Sequence, residues 1–202
     1  MSPPRALLLD LDGPVRLFRH DPAFERDAGL PPNAVRNAAF RPERLGPALT
    51  GLVRDEAWRA QVAADLRAQY PDADVERAVA QWSDGAAHTV DRDVLALVQR
   101  VRAVARVVLV TNATTRLPDD LRALGLLDAF DAVVSSAMAG ACKPDPAIFR
   151  CALTLAGVAA EQALFVDDTA GHVAAAQALG LQAVLYTGAE ALARALGAAG
   201  LL

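Results

Sequence analysis

Lysine is all but missing from this chain. Of its 20 basic residues, 19 are arginine and one is lysine, Lys143. Cysteine is scarce too. Cys142 and Cys151 stand nine apart, with no CxxC pair and no Cys/His cluster, which excludes a disulfide scaffold and a structural zinc site. Apolar runs are much shorter than a bilayer span, so no membrane segment is expected. The first such run, Ala6 to Leu9, stops at Asp10, too short for a secretory core segment. Reduced thiols and the lack of a targeting pattern lead us to expect a cytoplasmic protein. Blocks of like charge are absent and the formal net charge is −4, which argues against a dedicated nucleic-acid binder. With 13 Gly and 12 Pro in 202 residues there is no low-complexity or collagen-like segment.

What remains suits a compact fold. Hydrophobic residues make up 53% and charged residues 22%, enough apolar surface to bury a core. Short apolar runs read as strands at Ala6–Asp10, Val107–Thr111, Ala132–Ser135, Ala163–Asp167 and Ala183–Tyr186. Helical patterns lie between them, at Asp93–Ala103, Asp119–Leu126, Pro146–Ala156, His172–Leu179 and Ala189–Leu196. Such alternation predicts an α/β fold with a doubly wound parallel sheet. From Val15 to Asp91 the rhythm breaks. No comparable strand is expected there; helices are, at Asp55–Gln69 (Trp58, Val62 and Leu66 at i, i+4, i+8) and Asp74–Trp82. The organisation expected is a core of residues 1–14 and 93–202, with an inserted α-helical subdomain over 15–92.

Three expected strands end in polar residues: Asp10, Thr111 and Asp167. In an open parallel sheet, ligands bind beyond the carboxyl ends of the strands, so these residues should share a crevice roofed by the insertion. Asp10-Leu11-Asp12-Gly13 places two carboxylates two residues apart before a turn. Thr111-Asn112 offers a hydroxyl and an amide to an anion, although a turn or helix cap is the plainer account of it alone. Lys143 precedes Pro144-Asp145-Pro146 at the start of a helix. In an arginine-biased chain, the one retained lysine marks a place where a guanidinium fork does not serve. Asp167 and Asp168 repel each other unless a cation holds them together, and a hard cation such as Mg²⁺ takes one or two carboxylates.

Together and in this order, the four pieces resemble the haloacid dehalogenase superfamily, over nearly the whole chain. The insertion resembles the helical cap of its subfamily IA, and the paired-Asp last motif resembles its phosphatase-like branch. The resemblance implies a Rossmann-like core and a Mg²⁺-dependent phosphatase acting on a small phosphorylated metabolite. It implies Asp10 as the nucleophile that becomes an aspartyl phosphate, and Asp12 as the general acid and base. Thr111 and Asn112 would hold phosphate oxygens, and Lys143 would pair with Asp10 and the phosphate. Asp10, Asp12, Asp168 and Asp167 would surround the metal, Asp12 through its carbonyl and Asp167 directly or through water. One departure is His172, where many relatives carry an acid. Phosphomutase, 2-haloacid dehalogenase and a non-catalytic interaction domain are the alternatives; Asp12 and the Asp167-Asp168 pair weigh against the dehalogenase. Arg16, Arg19 and His20 are candidates for touching substrate, with a solvated arginine face as the plainer expectation. Trp58 and Trp82 are expected in the core of the insertion. Monomer and homodimer both stay open.

Overall fold

The computed structural model describes residues 3–18, 23–84 and 88–202. Five parallel strands form the central sheet: β1 (Ala6–Leu9), β4 (Arg106–Thr111), β5 (Ala132–Ser135), β6 (Ala163–Asp167) and β7 (Gln182–Leu185). Their order is β5-β4-β1-β6-β7. The chain builds outward from β1 on one side, then returns to build outward on the other, so the order reverses at β1. That reversal opens a crevice above the strand ends.

The strands are continuous apolar runs because both faces are covered. Alternate residues serve the two faces. Leu7, Leu9, Val107, Leu109, Leu164 and Val166 point to one cluster, closed by α6 (Arg92–Arg102), α7 (Leu117–Ala123) and α11 (Ala189–Ala198). Leu8, Val108, Val110 and Phe165 point to the other, closed by α9 (Pro146–Ala156) and α10 (Ala170–Ala178). The doubly wound sheet expected from the sequence is therefore present, with helix ends shifted by a few residues.

A separate apolar cluster forms within residues 28–79. It is assembled on α4 (Asp55–Gln69), which packs against α2 (Ala34–Ala39), α3 (Pro42–Leu49) and α5 (Val75–Trp82). Trp58, Val62 and Leu66 are buried at 6%, 0% and 1% exposure, as their four-residue spacing requires. A short helix, α1 (Phe24–Asp27), precedes them. Within the Val15–Asp91 stretch the structure also has strands, contrary to the helix-only expectation. β2 (Arg16–Phe18) and β3 (His88–Val90) pair antiparallel and form the root of the insertion. Three-residue strands with half-exposed side chains leave no apolar run to read. Among the described residues no helix is long and apolar enough to cross a membrane.

Candidate active site

Strand register brings the polar ends together. Leu9 lies opposite Val166 and opposite Leu109, so Asp10 is level with Asp167 and one step from Thr111. The Asp10 amide continues the ladder by donating to the Val166 carbonyl at 3.0 Å. Lys143 reaches this level from the loop between α8 (Ser136–Ala139) and α9. Its Nζ donates to Asp10 Oδ1 at 2.7 Å and to Asp167 Oδ2 at 2.6 Å, with its side chain 1% exposed. Two buried carboxylates thus share one ammonium.

The two carboxylates are not equivalent. Burial pushes the Asp10 carboxyl up to about 7; Lys143 opposes this, while the charges of Asp167 and Asp12 add to it. Asp167 is driven up by burial but pulled further down by its hydrogen bond to His172, by Lys143 and by the Thr169 amide, reaching about 2. Its two oxygens are fully engaged. Oδ1 accepts from Thr169 N at 2.8 Å and faces His172 Nδ1 at 3.0 Å, while Oδ2 takes Lys143. Asp167 therefore stands as the charge that holds Lys143 in place. His172 Nδ1 lies 3.0 and 3.1 Å from the two Asp167 oxygens, so this ring packs against Asp167.

Asp168 is exposed, and its carboxylate rests against Gly13. A Cβ on Gly13 would lie 2.2 Å from Asp168 Oδ2, and Gly13 has φ +92°, so only glycine lets the two loops approach this closely. Asp10, Asp167 and Asp168 each offer a carboxylate oxygen within 4.8 Å of the others. With Asp167 already engaged, Asp10 and Asp168 are the hard oxygen donors left open, the first costly to ionise without a nearby cation, and such a pair suits Mg²⁺. Thr111 Oγ1 is buried and has no hydrogen-bond partner. A buried hydroxyl left open beside this cluster calls for a ligand.

Asp12 stands apart from this acidic cluster. Arg16 grips it, with Nε at 2.5 Å from Oδ1 and Nη2 at 3.0 Å from Oδ2. Arg16 is 5% exposed and also bonds Asp120 at 2.9 Å. It is thus neither a solvated surface arginine nor a free substrate contact; it holds the second carboxylate of the first motif. Arg19 and His20 lie outside the described residues. Asn112 does more than lend an amide. Its side chain donates to the Lys143 carbonyl at 2.9 Å and accepts from the Lys143 amide at 2.7 Å, fixing the lysine's backbone. The sequence held a signal for this, since a carboxamide just after a buried strand is able to clamp a neighbouring backbone, but its partner was 31 residues away. Ser136 Oγ similarly ties down the loop at Ala113.

Above the strand ends lies a cavity of about 770 Å³ between core and insertion. The two parts are latched beside it. Thr114 Oγ1 donates to Asp55 Oδ1 at 2.7 Å, the Asp55 amide donates to Thr115 Oγ1 at 3.0 Å, and Arg116 Nη1 donates to the Ser83 carbonyl at 2.5 Å. Trp58 and Trp82, in T-shaped contact at 5.6 Å, belong to the insertion's core as expected, and they also line the cavity.

Known proteins share this architecture. A HAD-family enzyme of Bacteroides thetaiotaomicron, in complex with magnesium and inorganic phosphate, superposes with a TM-score of 0.71 at 19% identity, over 91% of this chain and 94% of that one. An L-2-haloacid dehalogenase superposes with a TM-score of 0.65 at 23% identity, over 90% of this chain and 83% of that one. In sequence, a phosphatase of Mycobacterium tuberculosis is 40% identical over 65 residues, 32% of this chain and 30% of the relative. The chain covers 35%, 5% and 30% of the length of three curated relatives that it matches. The profile of haloacid dehalogenase-like hydrolases matches residues 5–180. On that match, with the sheet order and the Asp10–Lys143–Asp167 centre beneath it, the chain belongs to the haloacid dehalogenase-like hydrolases.

Proposed function

We propose that this hydrolase is a Mg²⁺-dependent phosphatase of small phosphorylated metabolites. The observation that carries the reading is Lys143 bridging Asp10 and Asp167 next to Asp168, with the open Thr111 hydroxyl alongside. Asp10 and Asp168 would hold Mg²⁺, with the Asp12 carbonyl completing the set. Bound there, the ion supplies positive charge that offsets the repulsion between an anionic nucleophile and a phosphoryl group. A cation there also removes the burial cost that holds the Asp10 carboxyl near neutrality.

In this reading one Asp10 oxygen attacks phosphorus, and the bond from phosphorus to the leaving oxygen breaks. Asp12 delivers a proton to that oxygen. It then takes a proton from water, which attacks phosphorus, frees inorganic phosphate and restores Asp10. Thr111 Oγ1, the Asn112 amide and Lys143 Nζ hold the phosphoryl oxygens as charge builds on them. Because Arg16 occupies both Asp12 oxygens, one of these bonds must open before Asp12 acts.

Hydrolysis of p-nitrophenyl phosphate by wild type and Asp10→Asn, with and without Mg²⁺, tests the assignment. Turnover should need both the metal and Asp10. Equal rates for the two proteins would remove Asp10 as nucleophile. Release of halide from a 2-haloacid without metal would favour the dehalogenase instead.

A further inference from the structure

The cavity's lining specifies what is attached to the phosphate. It reaches Asp12 and Asn112 but not Asp10, Lys143 or Asp168. In the reading proposed above, on which this step rests, Asp12 protonates the leaving oxygen. A group on that oxygen must therefore extend past Asp12 into this space.

The space is mostly apolar. Phe24, Phe40, Leu45, Leu49, Trp58 and Trp82 supply large apolar side chains to its wall. Charged residues also face it, but they are already committed to one another. Arg16 is held by Asp12 and Asp120. Arg59 pairs with Asp55 at 2.6 Å and Arg116 with Asp120 at 2.9 Å. The Glu25 carboxylate accepts the amides of Asn33 and Val35. Asn112 is spent on Lys143. Among the described residues that line it, two polar groups remain beside the exposed Asn33 side chain. One is His88 Nδ1, buried and without a hydrogen-bond partner, whose imidazole is kept below its usual range first by burial and then by Arg16. The other is Arg36, exposed, with its guanidinium 5.6 Å from the Phe40 ring.

A sugar or polyol entering this wall would bury several hydroxyls against hydrocarbon and meet, among the described residues, one buried unpartnered nitrogen, and each unmatched polar group disfavours binding. An aryl or arylalkyl group loses nothing there and meets aromatic edges suited to it. We infer that the physiological substrate is a phosphate monoester of a predominantly apolar, aromatic alcohol, seated between the Trp58/Trp82 pair and the Leu45–Leu49 segment.

The test compares kcat/KM for 2-phenylethyl phosphate, glycerol 3-phosphate and glucose 6-phosphate, with acetyl phosphate as a reference too small to fill the cavity. All three esters expel a primary alkoxide, so differences report on the cavity rather than on leaving-group strength. The expected result is at least a tenfold preference for 2-phenylethyl phosphate over both polyol esters. In Leu49→Asn, a half-buried position, that preference should shrink at least threefold. If acetyl phosphate is hydrolysed but a polyol ester matches or beats the phenylethyl ester, the inference fails while the phosphatase reading stands. An unchanged preference in a folded Leu49→Asn protein would equally remove this cavity as the leaving-group site. If none of the four is hydrolysed with Mg²⁺, the phosphatase reading falls and this inference with it.

Discussion

Asp10 makes the metal-free protein pay for its active site, and the size of that cost follows from the structure. Burial lifts its carboxyl from 3.8 to about 7. A carboxylate raised in this way contributes stability that is fully present below 3.8 and is lost as pH rises through about 7. At about 1.4 kcal/mol per pKa unit, the loss is about 2 kcal/mol at pH 5 and about 4 kcal/mol at pH 8. Asn at this position cannot ionise. Metal-free Asp10→Asn should therefore gain on wild type by about 2–3 kcal/mol between pH 5 and pH 8. Any constant difference between Asp and Asn, including the weaker bond to Lys143, cancels in that comparison. Asp167 does not intrude. Its carboxyl is held at about 2, so its contribution is fully present above 3.8 and is lost only as pH falls through about 2. Urea unfolding in chelator at the two pH values measures the difference directly. Thermal melts should show it as a relative shift of about 4–8 °C for a chain of this size. A stability difference between the two proteins that is the same at pH 5 and pH 8 would refute the reasoning, because it would mean that Asp10 titrates like an exposed carboxylate.

Gly13→Ala places a Cβ 2.2 Å from Asp168 Oδ2 at a backbone angle of φ +92°. Calorimetric titration should show Mg²⁺ affinity falling about 10–100-fold as that carboxylate is displaced, with a stability loss of about 1–3 kcal/mol from the strained backbone. Asn112→Ala removes both side-chain hydrogen bonds to the Lys143 backbone. It should cost about 1–3 kcal/mol in denaturant unfolding and lower kcat more than it raises KM. Lys143→Arg should not rescue function, since a planar fork does not fit a 1% exposed point between two carboxylates. Steady-state assays should show kcat reduced by about 10²–10³-fold, whereas an exposed loop cation would tolerate the exchange.

The core was legible because its signals are local. Uninterrupted runs such as Val107–Val110 have one stable use, a strand covered on both faces, and all four residues are 0% exposed. Helix α4 was equally plain, since its four-residue apolar spacing runs the length of Asp55–Gln69. The β2–β3 ribbon was not, because Arg16–Phe18 finds its partner some 70 residues later and only pairing makes it a strand. At the site, Asp10, Thr111 and Asp167 could be read from where strands end, and Lys143 from its being the one lysine of an arginine-rich chain. What each touches could not. Arg16 looked like one of many surface arginines, yet it is buried between Asp12 and Asp120. The Asn112 clamp and the His172–Asp167 contact likewise join segments that only the folded chain brings together.

Under the proposed function, Asp10, Asp168 and Lys143 gather around a metal and a phosphoryl group. A crystal soaked with Mg²⁺ and beryllium trifluoride addresses it most directly. The account predicts the fluoride adduct on an Asp10 carboxylate oxygen, Mg²⁺ against Asp10 and Asp168, and Thr111 Oγ1 and Lys143 Nζ within hydrogen-bond distance of the fluorines. An empty crevice in such a crystal, with Lys143 still bridging Asp10 and Asp167, would contradict it.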